Sequence, residues 1–294
     1  MERKCKVICD EEMIMNTEKR FSTDDMKALE PCEKIGLLAT VDPEGKPHIT
    51  LITCLQPIGE DKLAFGEFSW GLSKYYVRKN HKCGFLMMTL DKNLWRGRAF
   101  WTGAAGEGPE YIMFNEKPMF RYNTYFGINT VHYLDLKDGG AREKLPMFNI
   151  IRSVILTALS GKSSVNKNDD EPLNLPGRSF FNSLSSLKFI AYVDSEGFPD
   201  IIPVIQCRAA DSGLVKFSTA AYNDELRRIP EGAECAVFAM TLDMESVLVR
   251  GRFTGIKRRG FAETGEVEIS WVYNSMPPVH GQVYPAVPLE AVEF

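Results

Sequence analysis

Val41-Asp42-Pro43-Glu44-Gly45-Lys46-Pro47 and Val193-Asp194-Ser195-Glu196-Gly197-Phe198-Pro199 are one turn written twice, 152 positions apart. Each reads as a hairpin turn whose glycine accepts positive φ, and in the first Pro43 presets its own φ. Working outward at the same offset, Met88-Thr89-Leu90-Asp91 falls on Met240-Thr241-Leu242-Asp243, and Thr102-Gly103 on Thr254-Gly255. From Gly36 to Gly103, 16 of 68 positions are identical. Chance at ordinary composition gives roughly one in sixteen, so the match is a duplication. The period is too long for a solenoid repeat. It predicts two complete domains of one fold, and two like domains can meet across a two-fold axis inside one chain.

The pattern around the turn predicts short antiparallel strands. Ile35 to Val41 is apolar, Pro47 to Leu55 alternates, and Leu63 to Phe68 makes a third strand. Leu72 to Asn80 reads as a short helix, followed by strands at Cys83 to Leu90 and Trp95 to Thr102. Ile128 to Leu136 supplies a late strand. Asp24 and Asp25 can cap a helix running to about Glu33, and Glu143 to Leu159 reads as a longer one. The second half repeats the order, with strands near 187–194, 199–208, 213–219, 233–242 and 246–256 and a helix near 223–229. This is a mainly β fold with short helices. The expected division is a tail over 1–23, a first domain over 24–160, a Ser/Asn/Asp/Pro/Gly-rich linker over 161–177 and a second domain over 178–294.

Composition narrows the function. At 294 residues, 44% hydrophobic and 25% charged, each half can bury a core. A net charge of −4 argues against nucleic-acid binding through phosphate neutralisation. The basic runs Arg250-Gly251-Arg252 and Lys257-Arg258-Arg259 are local exceptions, the second read as a solvated strand end. Seven scattered cysteines fit reduced thiols in a cytoplasm. Cys83 and Cys235 occupy equivalent repeat positions and read as buried small hydrophobes, whereas Cys5 and Cys9 have no second ligand pair nearby. No signal peptide or membrane helix is expected. No metal site is expected either: His48, His81, His132 and His280 lack ligand spacing. Gly161-Lys162-Ser163 fails as a P-loop because Leu156 stands where that motif needs glycine.

The informative segment is Phe65-Gly66-Glu67-Phe68-Ser69-Trp70-Gly71-Leu72-Ser73-Lys74. A strand ends, a glycine-bearing turn follows, and a helix opens with Ser and Lys in its first turn. Lysine opposes the helix macrodipole there. A bound phosphate reverses the balance, because amide N–H groups, hydroxyl and ammonium all converge on the anion.

Each half resembles the FMN-binding split barrels related to pyridoxamine 5′-phosphate oxidase. The resemblance rests on Leu38-Ala39-Thr40-Val41-Asp42, Gly45-Lys46-Pro47-His48, Ser73-Lys74, Asn80-His81 and Arg98 in the strand ending Trp101-Thr102-Gly103. It covers about 24–136 and 178–294. It implies two split β-barrel domains in a pseudo-two-fold arrangement, an intramolecular pseudo-dimer with FMN in the groove between the barrels. The implied cofactor residues are Thr50 and Thr53 on the second strand, Gly66 and Glu67 ending the third, and Ser73 and Lys74 on the phosphate. Arg250 and Arg252 come from the second barrel. The implied function is an oxidoreductase acting on a small molecule, fed by a nicotinamide cofactor or another donor. A flavin carrier or sensor and a haem-handling split barrel are the alternatives. Thr50 and Leu55 replace the basic phosphate ligands of the oxidases, so pyridoxamine phosphate oxidation is not expected. The aromatic insert Glu107 to Gly127, with Tyr111, Phe114, Phe120, Tyr122, Tyr125 and Phe126, reads equally as a flavin cover or as extra core.

Overall fold

The computed structural model describes residues 20–31, 33–121, 127–160, 171–243, 245–274 and 281–288. Cys5, Cys9, His280, residues 122–126 of the aromatic insert and 161–170 of the expected linker lie outside them.

Helix α1 (Thr23–Leu29) starts at Ser22, not at Asp24. The Ser22 Oγ accepts the Asp25 N–H, and the Asp25 carboxylate accepts the Ser22 N–H, a reciprocal cap. The helix ends at Leu29 with Glu30 still in helical geometry, and Pro31, which has no N–H to donate, does not extend it. Strands β1 (Lys34–Val41), β2 (Pro47–Leu51), β3 (Gln56–Pro57) and β4 (Lys62–Glu67) precede α2 (Leu72–Lys79). Then come β5 (Lys82–Thr89), β6 (Asn93–Ala105), α3 (Pro109–Asn115), α4 (Pro118–Arg121), β7 (Thr130–Gly139) and β8 (Glu143–Lys144). Helix α5 (Met147–Leu159) follows Pro146. Glu143 and Lys144, expected to be helical, instead pair with Asn93 and Leu94.

The second half contains α6 (Leu175–Asn182), β9 (Leu187–Val193), β10 (Pro199–Pro203), β11 (Arg208–Ala209), β12 (Leu214–Ser218) and α7 (Asn223–Leu226). It ends with β13 (Glu234–Met240), β14 (Ser246–Arg259), β15 (Ala262–Asn274) and β16 (Gly281–Tyr284). Part of the expected linker is therefore helix. Asn174 accepts the Gly177 N–H as its cap, and Pro176 fits the first turn, where its missing donor costs nothing.

The fold is mainly β, with two eight-stranded antiparallel sheets. Seven strands of each follow the same path, β2-β1-β5-β6-β7-β4-β3 and β10-β9-β13-β14-β15-β12-β11, and the eighth differs: β8 pairs with β6, β16 with β15. The irregularities repeat too. Pairing shifts after Arg98 and after Arg250, and again after Trp101 and after Phe253. Each of these pairs is one repeat position. The opening turns are also alike: Asp42 Oδ1 accepts the Glu44 and Lys46 N–H groups, as Asp194 Oδ1 accepts those of Glu196 and Phe198. Cores form on the buried faces. Phe65, Phe85 and Trp95 are fully enclosed in the first half, and Phe181, Phe217 and Phe253 in the second. Cys83 and Cys235 are fully buried, and burial pushes both thiols far up.

The chain divides into two compact units. One comprises Met1–Leu38, Leu51–Trp70 and His81–Leu145; the other comprises Ala39–Thr50, Gly71–Asn80 and Pro146–Phe294. The second unit thus owns the β1–β2 turn and helix α2 of the first repeat.

Candidate functional site

Helix α2 begins at Gly71, whose backbone is extended and which offers no side chain to cap the first N–H groups. Its first turn holds no acidic residue. Ser73 is buried and donates from Oγ to Thr50 Oγ1 at 2.8 Å, tying the helix start to the end of β2. Lys74 is only 8% exposed. Its Nζ lies 3.6 Å from the place a Cβ on Gly71 would take, so the ammonium folds back over the helix start. Two hydroxyls, an ammonium and uncapped amides are thereby gathered in one place.

A second cluster stands one turn along the same helix. Arg250 is 6% exposed and donates from Nη1 to Asp42 Oδ2 at 2.7 Å. Asp42 is therefore a turn-former through one oxygen and an ion-pair partner through the other. The guanidinium lies 4.6 Å from the Trp271 ring centroid, a cation–π geometry. Trp271 stacks on Tyr273 at 5.2 Å. His48 sits edge-on to Tyr76 of α2 at 5.4 Å and to Tyr273 at 5.6 Å. Burial raises both phenols, Tyr273 strongly, while Arg250 pulls each back down. Arg250 Nε and Nη2 are buried and make no close hydrogen bond among the described residues, although the guanidinium also interacts with the Tyr76 phenol. An unmet guanidinium edge has the spacing of two anionic or carbonyl oxygens.

The remaining predicted residues have contacts of their own. Arg252 is exposed and stands 3.7 Å from Glu268 in a surface ion pair. Thr53 is a half-buried turn residue after β2, and Gly66 and Glu67 end β4; all three belong to the first unit. A Cβ on Gly66 would press into Ile128. Glu67 is committed to a buried relay: its Oε2 lies 2.7 Å from His132 Nε2, and Trp101 Nε1 donates to His132 Nδ1 at 3.1 Å. Indole nitrogen only donates, so His132 Nδ1 is an acceptor and its proton sits on Nε2, facing Glu67. Phe65 stacks flat on the imidazole at 4.7 Å.

Asp42, His48, Tyr76, Trp271 and Tyr273 were not among the predicted cofactor residues. The signal was present for Asp42, an identity between the repeats, but its turn role explained it fully. The insert supplies core through Phe114, fully buried in α3.

No family model matches the sequence, and no curated protein matches it. Solved structures do. An FMN-binding protein from Syntrophomonas wolfei subsp. wolfei is 17% identical at a TM-score of 0.37, covering 48% of this chain and 96% of its own. A putative pyridoxamine 5′-phosphate oxidase from Lactobacillus delbrueckii is 17% identical at 0.34, covering 43% and 98%. Group A Streptococcus HupZ is 14% identical at 0.34, covering 41% and 98%. Each of these matches covers a little under half of this chain and nearly all of the other.

Proposed function

We propose that the chain binds one FMN, its phosphate at the start of α2 and Arg250 flanking it, and works as a flavin-dependent redox protein. The observation that carries this reading is Lys74, folded over a glycine-started helix whose first amides have no side-chain cap. A lysine there opposes the macrodipole. A phosphate dianion would be drawn by dipole and ammonium together. The Thr50–Ser73 hydroxyl pair, with Ser73 buried and Thr50 half-buried, adds polar contacts beside it. The unmet Arg250 edge supplies a second polar group in the same unit, contributed by the other repeat.

Bound FMN would supply the electron or hydride transfer. The protein's part is to bind, orient and exclude water. Tyr76 and Tyr273 are phenols that stay protonated at neutral pH, and burial raises both further. The substrate is read as a small molecule and the donor as a nicotinamide cofactor or another reductant. Reduction of the bound flavin by NADH or NADPH without oxygen separates a reductase from a carrier. For a haem reading, His132 has both ring nitrogens engaged and is a poor axial ligand.

The phosphate grip is tested directly. Charge-assisted hydrogen bonds contribute about 1.5–3 kcal/mol. Lys74→Ala should therefore raise the Kd for FMN by about ten- to a hundred-fold. Flavin-fluorescence titration measures it, and an unchanged Kd overturns the assignment.

A further inference from the structure

Helix α5 is amphipathic the wrong way round for a lone soluble molecule. Its inward face carries Ile150, Ser153, Thr157 and, just past the end, Ser160. Thr157 Oγ1 donates to the Ser153 carbonyl and accepts the Ser218 N–H at the end of β12. Small polar groups thus fasten the helix to its own sheet. The opposite face is Phe148, Ile151, Ile155 and Leu159, exposed by 80, 57, 54 and 74%. Spacings of three and four residues put all four on one stripe.

We propose that this stripe is the interface of a symmetric dimer, in which α5 of one copy packs antiparallel on α5 of a second. At those exposures the stripe presents on the order of 500 Å² of apolar surface, near the top of what a soluble monomer shows in one patch. Two copies would bury about 1,000 Å², the lower bound for a specific interface. A two-fold axis near the helix middle sets Phe148 against Leu159 of the second copy and Ile151 against Ile155. The stripe is therefore complementary to itself, as an isologous contact requires. Charge favours this occupant over a lipid surface. Interfacial helices turn a Lys/Arg-rich face to the headgroups, whereas α5 has Arg152 as its one charged residue and points its polar face into the protein.

The test is sedimentation equilibrium of the full chain from about 1 to 100 µM, a range that brackets a weak to moderate dimer. The wild type should dimerise with a Kd in the micromolar range, and Ile155→Lys should raise that Kd at least tenfold. Circular dichroism of the variant, and a second variant Phe148→Ser on the same stripe, guard against loss of folding. A wild type monomeric at 100 µM overturns the proposal. So does a dimer that both folded variants leave intact, or wild-type cosedimentation with phosphatidylserine vesicles that Ile155→Lys abolishes while no dimer forms.

Discussion

Asp42 and Arg250 are each buried and each other's ion-pair partner, which makes them the most sensitive pair in the site. Removing one partner of a buried pair typically costs about 3–5 kcal/mol, because the survivor is left charged and unanswered. Asp42→Ala should destabilise by about that amount, and by more than its turn counterpart Asp194→Ala. Adding Arg250→Met to Asp42→Ala should recover part of the loss, and a denaturant double-mutant cycle reads it. Lys188 offers a pH test. Burial lowers its pKa from 10.5 to about 8, although Nζ donates to the Ser183 carbonyl. The folded protein then holds fewer protons than the unfolded chain between those values, so stability rises with pH there. Buried thiols such as Cys83 and Cys235, raised by burial, pull stability the other way above about pH 8. The test is therefore a difference: the urea midpoint of the wild type should gain on that of Lys188→Gln from about pH 8 to about pH 10. A difference that stays flat or falls over this window contradicts the assignment.

At the scale of elements, the bulge beside Arg250 decides where the guanidinium goes. Arg250 pairs with Trp271 but Gly251 pairs with Ile269, so Ser270 is looped out of the ladder. Gly251 lets the strands stay close: a Cβ there would sit on the Glu268 carbonyl oxygen. Gly251→Ala should therefore lower the melting temperature far more than Gly232→Ala, where a Cβ meets nothing and only a positive φ is strained. A smaller effect at 251 than at 232 would show that the bulge relaxes freely. The same contrast explains what the sequence disclosed. Turns closed by neighbours, such as Asp42 to Gly45, were readable because every hydrogen bond is local. The α2 start was readable because Gly, Ser and Lys are adjacent. Arg250 was legible as a site residue only through family resemblance, and its bond to Asp42, 208 positions away, left no local trace. Helix α6 was missed because Asn174, Pro176 and Gly177 signal loops and helix starts alike.

For the whole molecule, the repeats share strand order, bulges and turns but differ at the helix start proposed to hold the phosphate. Ser73 and Lys74 correspond to Glu225 and Leu226. Helix α7 is four residues long, has Asp224 and Glu225 in its first turn, and starts from Tyr222 in the left-handed region. Its Arg227 is tied to Glu263. Carboxylates at that helix start repel a phosphate. The fully loaded protein should therefore carry one FMN per chain, measured as released flavin against protein; a ratio near two would sink the argument. One consequence lies in the composition of the second unit. It takes Ala39–Thr50 and Gly71–Asn80 from the first repeat. Severing the gene between α5 and α6 would therefore leave the first unit whole in the N-terminal product but strip the second of Ala39–Thr50, Gly71–Asn80 and α5. The C-terminal product alone should be insoluble or protease-sensitive, and coexpression with the N-terminal one should restore it by fragment complementation. Duplication made two copies of a fold, and the later copy now depends on segments encoded in the earlier one, whereas the reverse does not hold.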